Sequence, residues 1–174
     1  MKAGVVHARG DIRYEDIEKP QPKPGEVLIK VKYTGICGSD IPRVNADAAH
    51  YYPIVLGHEF SGTVEEVGRG VESLKAGDRV AGIPLEPCME CDDCRRGDFS
   101  LCKHYTFIGS RIFGSFAEYV CVPEANALKI DDDVSFEQGA LFEPATIALH
   151  GLERVPYYGG RTVAIVGAGT IGLL

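Results

Sequence analysis

The chain has 174 residues, of which 45% are hydrophobic and 25% are charged, and its formal net charge at pH 7 is −7. This balance is typical of a globular protein, and the length allows one well-buried domain and part of another. The acidic charge provides no electrostatic footprint for nucleic acid. No apolar run approaches the ~18 residues of a membrane span, and the N-terminus has no secretory apolar core. We therefore expect a cytoplasmic protein, in which clustered cysteines bind metal or carry redox chemistry.

Period-two alternation of apolar and polar residues in EVLIKVKYTGI at 26–36 predicts a half-buried strand. Shorter strands are predicted at GTVEEVG (62–68), DRVAGI (78–83), FAEYVCV (116–122) and NALKI (126–130). Gly, Pro and Asp separate them, as expected for turns. The pattern predicts a compact, mainly β domain over about residues 1–130.

After this β region the pattern becomes helical. Ser135 and Gln138 have the spacing of a capping box, and apolar residues then recur at helical intervals. Pro144 predicts a break near Phe142–Glu143 and therefore two helical segments. The last stretch, RTVAIVGAGTIGLL, has the pattern of a buried strand that runs into a glycine-rich turn.

Four of the six cysteines are clustered. They are Cys88, Cys91, Cys94 and Cys102, separated by two, two and seven residues. Four thiolates satisfy a tetrahedral Zn²⁺ and leave no open position for a substrate, so this spacing predicts a structural zinc site. Two disulfides, unligated thiols or an iron–sulfur cluster are the alternatives.

A second set of metal-ligand residue types is spread over three stretches, GICGSD, LGHEFSG and LFEPATIALH. Its members are Cys37, His58, Glu59 and Glu143, and a catalytic zinc ion takes three such ligands and keeps one position open. Each residue has an ordinary alternative, since a lone cysteine such as Cys121 is more often a small buried hydrophobe. Spacing alone leaves the second site undecided.

The motifs GICGSD, LGHEFSGTVEEVG, GDRV, the four-cysteine run, GSFAEY and VGAGTIG, in this order, resemble the zinc-dependent medium-chain alcohol and polyol dehydrogenase family. The resemblance covers essentially the whole chain. It implies a mainly β fold, with a GroES-like catalytic domain at 1–150 that carries a structural zinc lobe at 88–102. Residues 151–174 would be a linker and the first strand and Gly-rich turn of a truncated Rossmann domain.

The resemblance also implies two zinc ions and the residues that hold them. Cys37 and His58 match ligands of the catalytic zinc, with Glu143 as the third ligand and Glu59 as an alternative or exchangeable one. The structural zinc would be held by Cys88, Cys91, Cys94 and Cys102.

Two further residues match positions that assist the catalytic zinc. Asp40 matches the carboxylate that orients the histidine ligand, and Ser39 matches the hydroxyl that begins the family's proton relay. Many members continue the relay with a histidine where this chain has Pro42. His50 or a water chain could replace it, although a solvated surface histidine is the more common reading of His50.

The glycine-rich turn is the expected cofactor site. It follows the predicted strand TVAIV and consists of Gly167, Gly169, Thr170, Ile171 and Gly172 together with Ala168. In this context the glycines allow a dinucleotide pyrophosphate to approach a helix N-terminus. We expect NAD, with NADP left open because the discriminating acidic residue would come about 20 residues later. We also expect the chain to be the N-terminal part of a larger protein, inactive alone.

Within the family, the stretches HYYP, FIGSR and SDxPR resemble the subgroup that oxidises a phosphorylated polyol. This implies galactitol 1-phosphate as the substrate and tagatose 6-phosphate as the product, with Arg43 and Arg111 as candidate phosphate partners. Sorbitol, threonine and butanediol are the alternative substrates. The family also implies a homo-oligomer. A zinc-stapled binding module without catalysis is the alternative of another class.

Overall fold

The structure is a computed structural model that describes residues 1–154, 160 and 162–174. Within these residues the strands are β1 (Lys2–Ala8), β2 (Asp11–Asp16), β3 (Glu26–Gly35), β4 (Ile54–Val55), β5 (Glu59–Val67), β6 (Arg79–Gly82), β7 (Leu85–Glu86), β8 (Thr106–Phe107), β9 (Tyr119–Pro123) and β10 (Ala127–Lys129). The α-helices are α1 (Asp40–Asn45), α2 (Asp92–Arg95), α3 (Phe136–Ala140), α4 (Phe142–Glu153) and α5 (Thr170–Leu173).

The principal sheet has five antiparallel strands in the order β10-β6-β5-β3-β9. One face of this sheet covers the main core, whose fully buried members include Val27, Ile29, Phe60, Val80 and Val122. These residues come from four of the five strands that the sequence predicted, and all five predicted strands are confirmed. Burial alternates along only part of these strands, because consecutive residues are buried in the first half of β3, at the start of β5 and in most of β6.

Two smaller sheets flank the principal one. The first has the order β2-β1-β4, and its apolar residues Ala3, Val5 and Val55 form a second core cluster. The second is the pair β7-β8, which brackets the segment that holds the four clustered cysteines. The sequence pattern did not predict these strands.

The pairing of β3 with β5 determines where the functional residues lie. Gly35, the last residue of β3, is opposite Glu59, the first residue of β5. The chain therefore leaves β3 toward Cys37 at the same point where it enters β5 from His58. Residues 21 positions apart in sequence become neighbours through this register.

The helical region agrees with its predicted signals. Ser135 and Gln138 form both hydrogen bonds of a capping box at the start of α3, and the helix ends before Leu141. The next helix, α4, begins at Phe142, so Pro144 lies in its first turn, where the missing N–H costs no hydrogen bond. The predicted division into two segments is confirmed. None of the helices in the described residues is long and apolar enough to cross a membrane.

The strand predicted over TVAIV is not formed. Residues 162–168 have no strand assignment, and Val166 is fully exposed. A strand requires a neighbour to pair with its backbone groups, and no described strand pairs with this segment. The helix predicted to follow the glycines is formed as α5.

We expect Gly82→Ala to destabilise the chain, because an added Cβ at this position of β6 would overlap the Phe60 ring. Overpacking of this kind costs about 1–3 kcal/mol. The free energy of unfolding from urea titration measures the effect. Gly151→Ala is the matched control, since a Cβ there meets no atom within 4 Å, and its stability should be unchanged or slightly higher. Equal stabilities of the two variants would contradict this packing.

Candidate metal centre and cofactor segment

Cys37, His58 and Glu59 converge where β3 ends and β5 begins. Each offers one ligand atom, and these three atoms all lie within 4.8 Å of one another. His58 and Glu59 are buried, with 4% and 6% of their surfaces exposed, while Cys37 is partly exposed. The His58 ring also makes an edge contact with Phe107, at 5.5 Å between ring centroids. The group is thus largely enclosed but accessible on the cysteine side.

Asp40, the first residue of α1, is the buried partner of this group. Its Oδ2 accepts a hydrogen bond from the Cys37 N–H at 3.0 Å, and its Oδ1 lies 3.6 Å from His58 Nδ1. Both Oδ1 and Nδ1 are buried without a hydrogen-bond partner in the described structure. Because Nδ1 faces Asp40, Nε2 is the ring nitrogen left available to a metal ion.

Burial also governs the charges of these two groups. It raises the pKa of Asp40 to about 6, against the opposing effect of the Cys37 N–H. It lowers the pKa of His58 to about 4, and the positive charge of Arg43 acts in the same direction. A neutral imidazole is the form that binds a metal ion.

Glu143 lies near this group but is not a member of it. Burial, and to a smaller extent the negative charge of Glu59, raises the pKa of its carboxyl to about 7. The group of ligand atoms within 4.8 Å contains Glu59 and does not contain Glu143. A bound cation would relieve the unfavourable environment of the Glu143 carboxylate.

The donor set fits a transition metal. A thiolate, an imidazole nitrogen and a carboxylate oxygen are the three kinds of ligand that Zn²⁺ takes in proteins. The unpartnered His58 Nδ1 and Asp40 Oδ1 are arranged as the outer pair of a carboxylate–histidine–metal unit. Three protein ligands would leave one position open for a small molecule.

The four clustered cysteines form a separate group. Their sulfur atoms lie within 4.8 Å of one another, with Cys91–Cys94 at 3.5 Å and Cys88–Cys94 at 3.9 Å. Sulfurs at about 2.3 Å from one tetrahedral ion are about 3.8 Å apart, whereas a disulfide needs about 2.05 Å. The Cys88 N–H donates to the Cys102 sulfur at 3.3 Å. The cluster has the geometry of a closed zinc site.

The electrostatics of the cluster also favour a cation. Backbone N–H groups of Cys94 and Lys103 lower the pKa of Cys91 to about 6. Burial has the opposite effect on Cys94 and raises its pKa to about 12. Four thiolates cannot crowd together without a positive ion, so one bound ion would reconcile these opposing tendencies. Cys121, outside both groups, has its pKa raised to about 11 by burial, as expected of an inert thiol.

The structure places Ser39 and Arg43 on α1, next to the metal group. Arg43 Nη1 donates to the Ser39 Oγ at 2.7 Å and to the Ser39 carbonyl at 2.8 Å. The same nitrogen lies 3.7 Å from Asp40 Oδ1. The sequence pattern missed these contacts, although the i, i+4 spacing of Ser39 and Arg43 would have indicated them once a helix was assumed.

The remaining candidate residues lie apart from this network. Arg111 stacks on the Tyr105 ring at 4.4 Å and donates to its hydroxyl at 3.3 Å. His50 and Pro42 are exposed. His50 therefore fits the reading of a solvated surface histidine.

An apolar cavity of about 580 Å³ opens beside Glu143, between α4 and the end of β6. Its walls include Phe107, which contacts His58, and also Leu85, Phe142 and Ile147. A largely apolar cleft with a few polar groups at one end is the usual form of a small-molecule site.

The predicted cofactor segment has a turn that leads into α5. Gly167 has a φ of +105°, and α5 begins at Thr170 directly after Gly169. The turn and helix have the form that the fingerprint requires, while the strand before them is not formed.

A family model described as "Alcohol dehydrogenase GroES-like domain" matches residues 23–132. The chain belongs to this family. Among curated proteins it is 46% identical to galactitol 1-phosphate 5-dehydrogenase of Escherichia coli (strain K12), over all of this chain and 51% of that protein. It is 42% identical to (R,R)-butanediol dehydrogenase of Bacillus subtilis (strain 168), over all of this chain and 53% of that protein.

Solved structures agree with this assignment. The E. coli galactitol-1-phosphate dehydrogenase superposes with a TM-score of 0.95 at 45% identity, over 99% of this chain and 50% of that one. A zinc-binding dehydrogenase of Sinorhizobium meliloti 1021 bound to NADP superposes with a TM-score of 0.94 at 38% identity, over 99% of this chain and 50% of that one. A cobalt- and zinc-bound alcohol dehydrogenase of Pyrobaculum aerophilum superposes with a TM-score of 0.92 at 33% identity, over 99% of this chain and 54% of that one.

The chain spans about half the length of the curated relatives it matches. The mainly β, GroES-like fold that the sequence predicted is confirmed by the family match and by these superpositions. The fold and the family are therefore established for this chain.

We expect the purified chain to bind about two zinc ions, one at each group of ligand atoms. Cys37→Ser and Cys94→Ser should each reduce the content to about one ion, because each removes a ligand from a different group. Elemental analysis of the zinc content per chain after dialysis measures this. Cys121→Ser is the matched control and should keep about two ions. A wild-type content near one would contradict the site at Cys37, His58 and Glu59.

Proposed function

We propose that this chain provides the zinc-binding part of an oxidoreductase that transfers a hydride from a secondary alcohol of a polyol or polyol phosphate to a nicotinamide cofactor. The observation that carries the proposal is the convergence of Cys37, His58 and Glu59 on one point, within 4.8 Å, at an enclosed position beside an apolar cavity. The family assignment supports the same class of reaction.

In this proposal each chain holds one catalytic and one structural zinc ion. Cys37, His58 and a carboxylate bind the catalytic ion. Glu59 belongs to the group of ligand atoms, and Glu143 is close enough for the Glu59 charge to raise its pKa, so the two can exchange as the third ligand. A zinc ion bound there supplies Lewis acidity, which lowers the pKa of a hydroxyl placed beside it. The cysteines at 88, 91, 94 and 102 hold the structural ion and have no part in the chemistry.

Ser39 and Asp40 serve the same centre. Asp40 fixes the orientation of His58 from behind, at 3.6 Å from Nδ1, and so keeps Nε2 directed to the metal position. The exposed Ser39 hydroxyl lies two residues from Cys37 and can take the substrate hydroxyl's proton while it passes its own proton to water. Pro42 cannot continue such a relay, and the exposed position of His50 supports solvent as the receiver.

The hydride acceptor is proposed to be NAD, with NADP as the alternative. Gly167, Gly169, Thr170, Ile171 and Gly172 would hold its pyrophosphate at the start of α5, because a glycine turn before a helix N-terminus accommodates phosphate closely. The positive φ of Gly167 and the helix start at Thr170 support this assignment. A bound NADP in the S. meliloti relative supports a nicotinamide dinucleotide in general.

Galactitol 1-phosphate, oxidised to tagatose 6-phosphate, is the proposed substrate. The 46% identity to the E. coli enzyme of that name supports it. Arg43 and Arg111 are the proposed phosphate partners, since a guanidinium matches phosphate with two parallel donors. Arg43 has its Nη1 engaged with Ser39, which leaves its Nε and Nη2 edge for a ligand. Arg111 is exposed and held over Tyr105.

The remaining parts of the proposal concern the whole protein. Residues 1–150 would form the zinc-binding catalytic domain and residues 151–174 the linker and the start of a nucleotide-binding domain. The protein would be cytoplasmic and a homo-oligomer. The 42% identity to a butanediol dehydrogenase favours a plain diol or polyol, such as sorbitol, as the second candidate substrate.

We expect the complete gene product, loaded with zinc and given NAD, to oxidise galactitol 1-phosphate with a KM at least tenfold lower than that for galactitol. The physical reason is that a fixed cation gains a charge-assisted hydrogen bond only with the phosphorylated substrate. Absorbance of the reduced nicotinamide at saturating NAD measures both rates, with sorbitol, threonine and butanediol as comparison substrates.

Arg111→Met should raise the KM for galactitol 1-phosphate and leave the KM for galactitol unchanged. Equal kinetic constants for phosphorylated and plain galactitol would remove both arginines from the substrate site. The absence of oxidation of any of these alcohols would overturn the proposed function and leave a zinc-stapled binding module.

A further inference from the structure

Arg43 makes contacts through its Nη1 that a role in phosphate binding alone does not explain. Only 19% of its side chain is exposed, and its Nη1 is directed back into α1 rather than toward solvent. It donates to the Ser39 carbonyl at 2.8 Å and to the Ser39 Oγ at 2.7 Å, and it lies 3.7 Å from Asp40 Oδ1. One guanidinium nitrogen therefore faces both residues that serve the metal group.

The contact with Ser39 replaces the usual role of a serine at this place. Ser39 is the N-cap of α1, where a hydroxyl commonly accepts a backbone N–H, yet it makes no such capping bond. The guanidinium occupies one acceptor position of Oγ instead. Because arginine only donates and does not lose its proton, the serine's own proton must point away from Arg43, and its second lone pair remains available.

The contact with Asp40 acts on the metal group through a second route. Asp40 Oδ1 is buried, has no hydrogen-bond partner, and lies between Arg43 Nη1 at 3.7 Å and His58 Nδ1 at 3.6 Å. Arg43 is the cation that the structure places beside this oxygen, and it therefore restricts the position of the Asp40 carboxyl group. That carboxyl group lies against the His58 ring and holds it in the orientation that directs Nε2 to the metal position.

The position of Arg43 is itself fixed by the fold. Its backbone carbonyl accepts a hydrogen bond from the Tyr52 hydroxyl at 3.3 Å, and Arg43 reaches Ser39 across one turn of α1, the i, i+4 spacing at which helical side chains meet. Loss of the Arg43 head group would leave Ser39 and Asp40 in place but free to reorient.

From these contacts we infer that Arg43 is a positioning residue for the metal centre: it sets the direction of the Ser39 hydroxyl and compensates the Asp40 carboxylate that orients His58. The inference rests on the proposed function for its kinetic consequence but not for its effect on metal binding.

The first test is the zinc affinity of the 174-residue chain, measured by competition with a chelator. In the Cys37→Ser variant the other zinc site is lost, so the remaining zinc affinity is that of the four-cysteine site. Arg43→Met, which keeps the length of the stem and removes every donor, should weaken zinc binding at the Cys37 group by about tenfold or more, the usual effect of losing an outer partner of a metal ligand. Arg43→Lys keeps the charge beside Asp40 and should recover part of the affinity.

Arg9→Met is the matched control. Arg9 also anchors α1, since its Nε donates to the Asn45 carbonyl at 2.9 Å, but it does not contact Ser39 or Asp40. If the zinc affinity of Arg9→Met is within twofold of the wild-type value, loosening α1 is not enough to weaken zinc binding, and the loss in Arg43→Met comes from its contacts with Ser39 and Asp40. An equal loss in Arg9→Met and Arg43→Met, or no loss in Arg43→Met, would overturn the inference.

The second test uses the complete gene product and separates kcat from KM. Arg43→Met should lower kcat about tenfold or more for phosphorylated and plain polyols alike. Added to Ser39→Ala it should cause a smaller further loss than in the wild type, because only the part of its effect that acts through the Ser39 hydroxyl is already gone. A loss confined to the KM for the phosphorylated polyol would assign Arg43 to phosphate binding instead. If the wild type oxidises no polyol, the proposed function fails, and the zinc affinities still decide the inference.

Discussion

The antiparallel register of β3 and β5 is the constraint on which the metal centre depends. Gly35 lies opposite Glu59, and a side chain at position 35 would overlap the Glu59 carboxylate. The absence of a Cβ there lets a buried carboxylate sit against the strand that leads to Cys37. A shift of the register by one residue would turn Glu59 to the other face of the sheet and separate it from the thiol. On the other side of β5, the Phe60 ring fills the space next to Gly82 and so packs β5 against β6.

Much of the fold was predictable because its strands are apolar segments separated by Gly, Pro and Asp, and the longest, β3, alternates in the sequence. The capping box at Ser135 and the break at Pro144 depend on local chemistry alone. The two-residue strands β4, β7 and β8 were not predictable, since such pairs exist only through partners distant in sequence. Helix α1 was missed because it is one and a half turns long and contains Pro42 in its first turn. The TVAIV segment has the composition of a buried strand but no described partner strand.

The two groups of ligand residues differ in how far the sequence alone predicted them. The four-cysteine spacing is local and predicts a closed site directly. By contrast, Cys37 and His58 are brought together by strand register, so their grouping came from resemblance to a family and not from spacing. The contacts of Arg43 with Ser39 and Asp40 required both the helix and the register. This is why the sequence offered Arg43 only as a candidate phosphate partner.

Anomalous diffraction at the zinc edge from crystals of the zinc-loaded chain tests the central claim most directly. The account predicts two peaks. One should lie about 2.3 Å from the Cys37 sulfur and about 2.0–2.1 Å from a His58 ring nitrogen, with a carboxylate oxygen of Glu59 or Glu143 as the third protein ligand. The other should lie among the four clustered cysteines. A single peak at those cysteines, with the Cys37 sulfur and the His58 ring directed away from a common centre, would contradict the account.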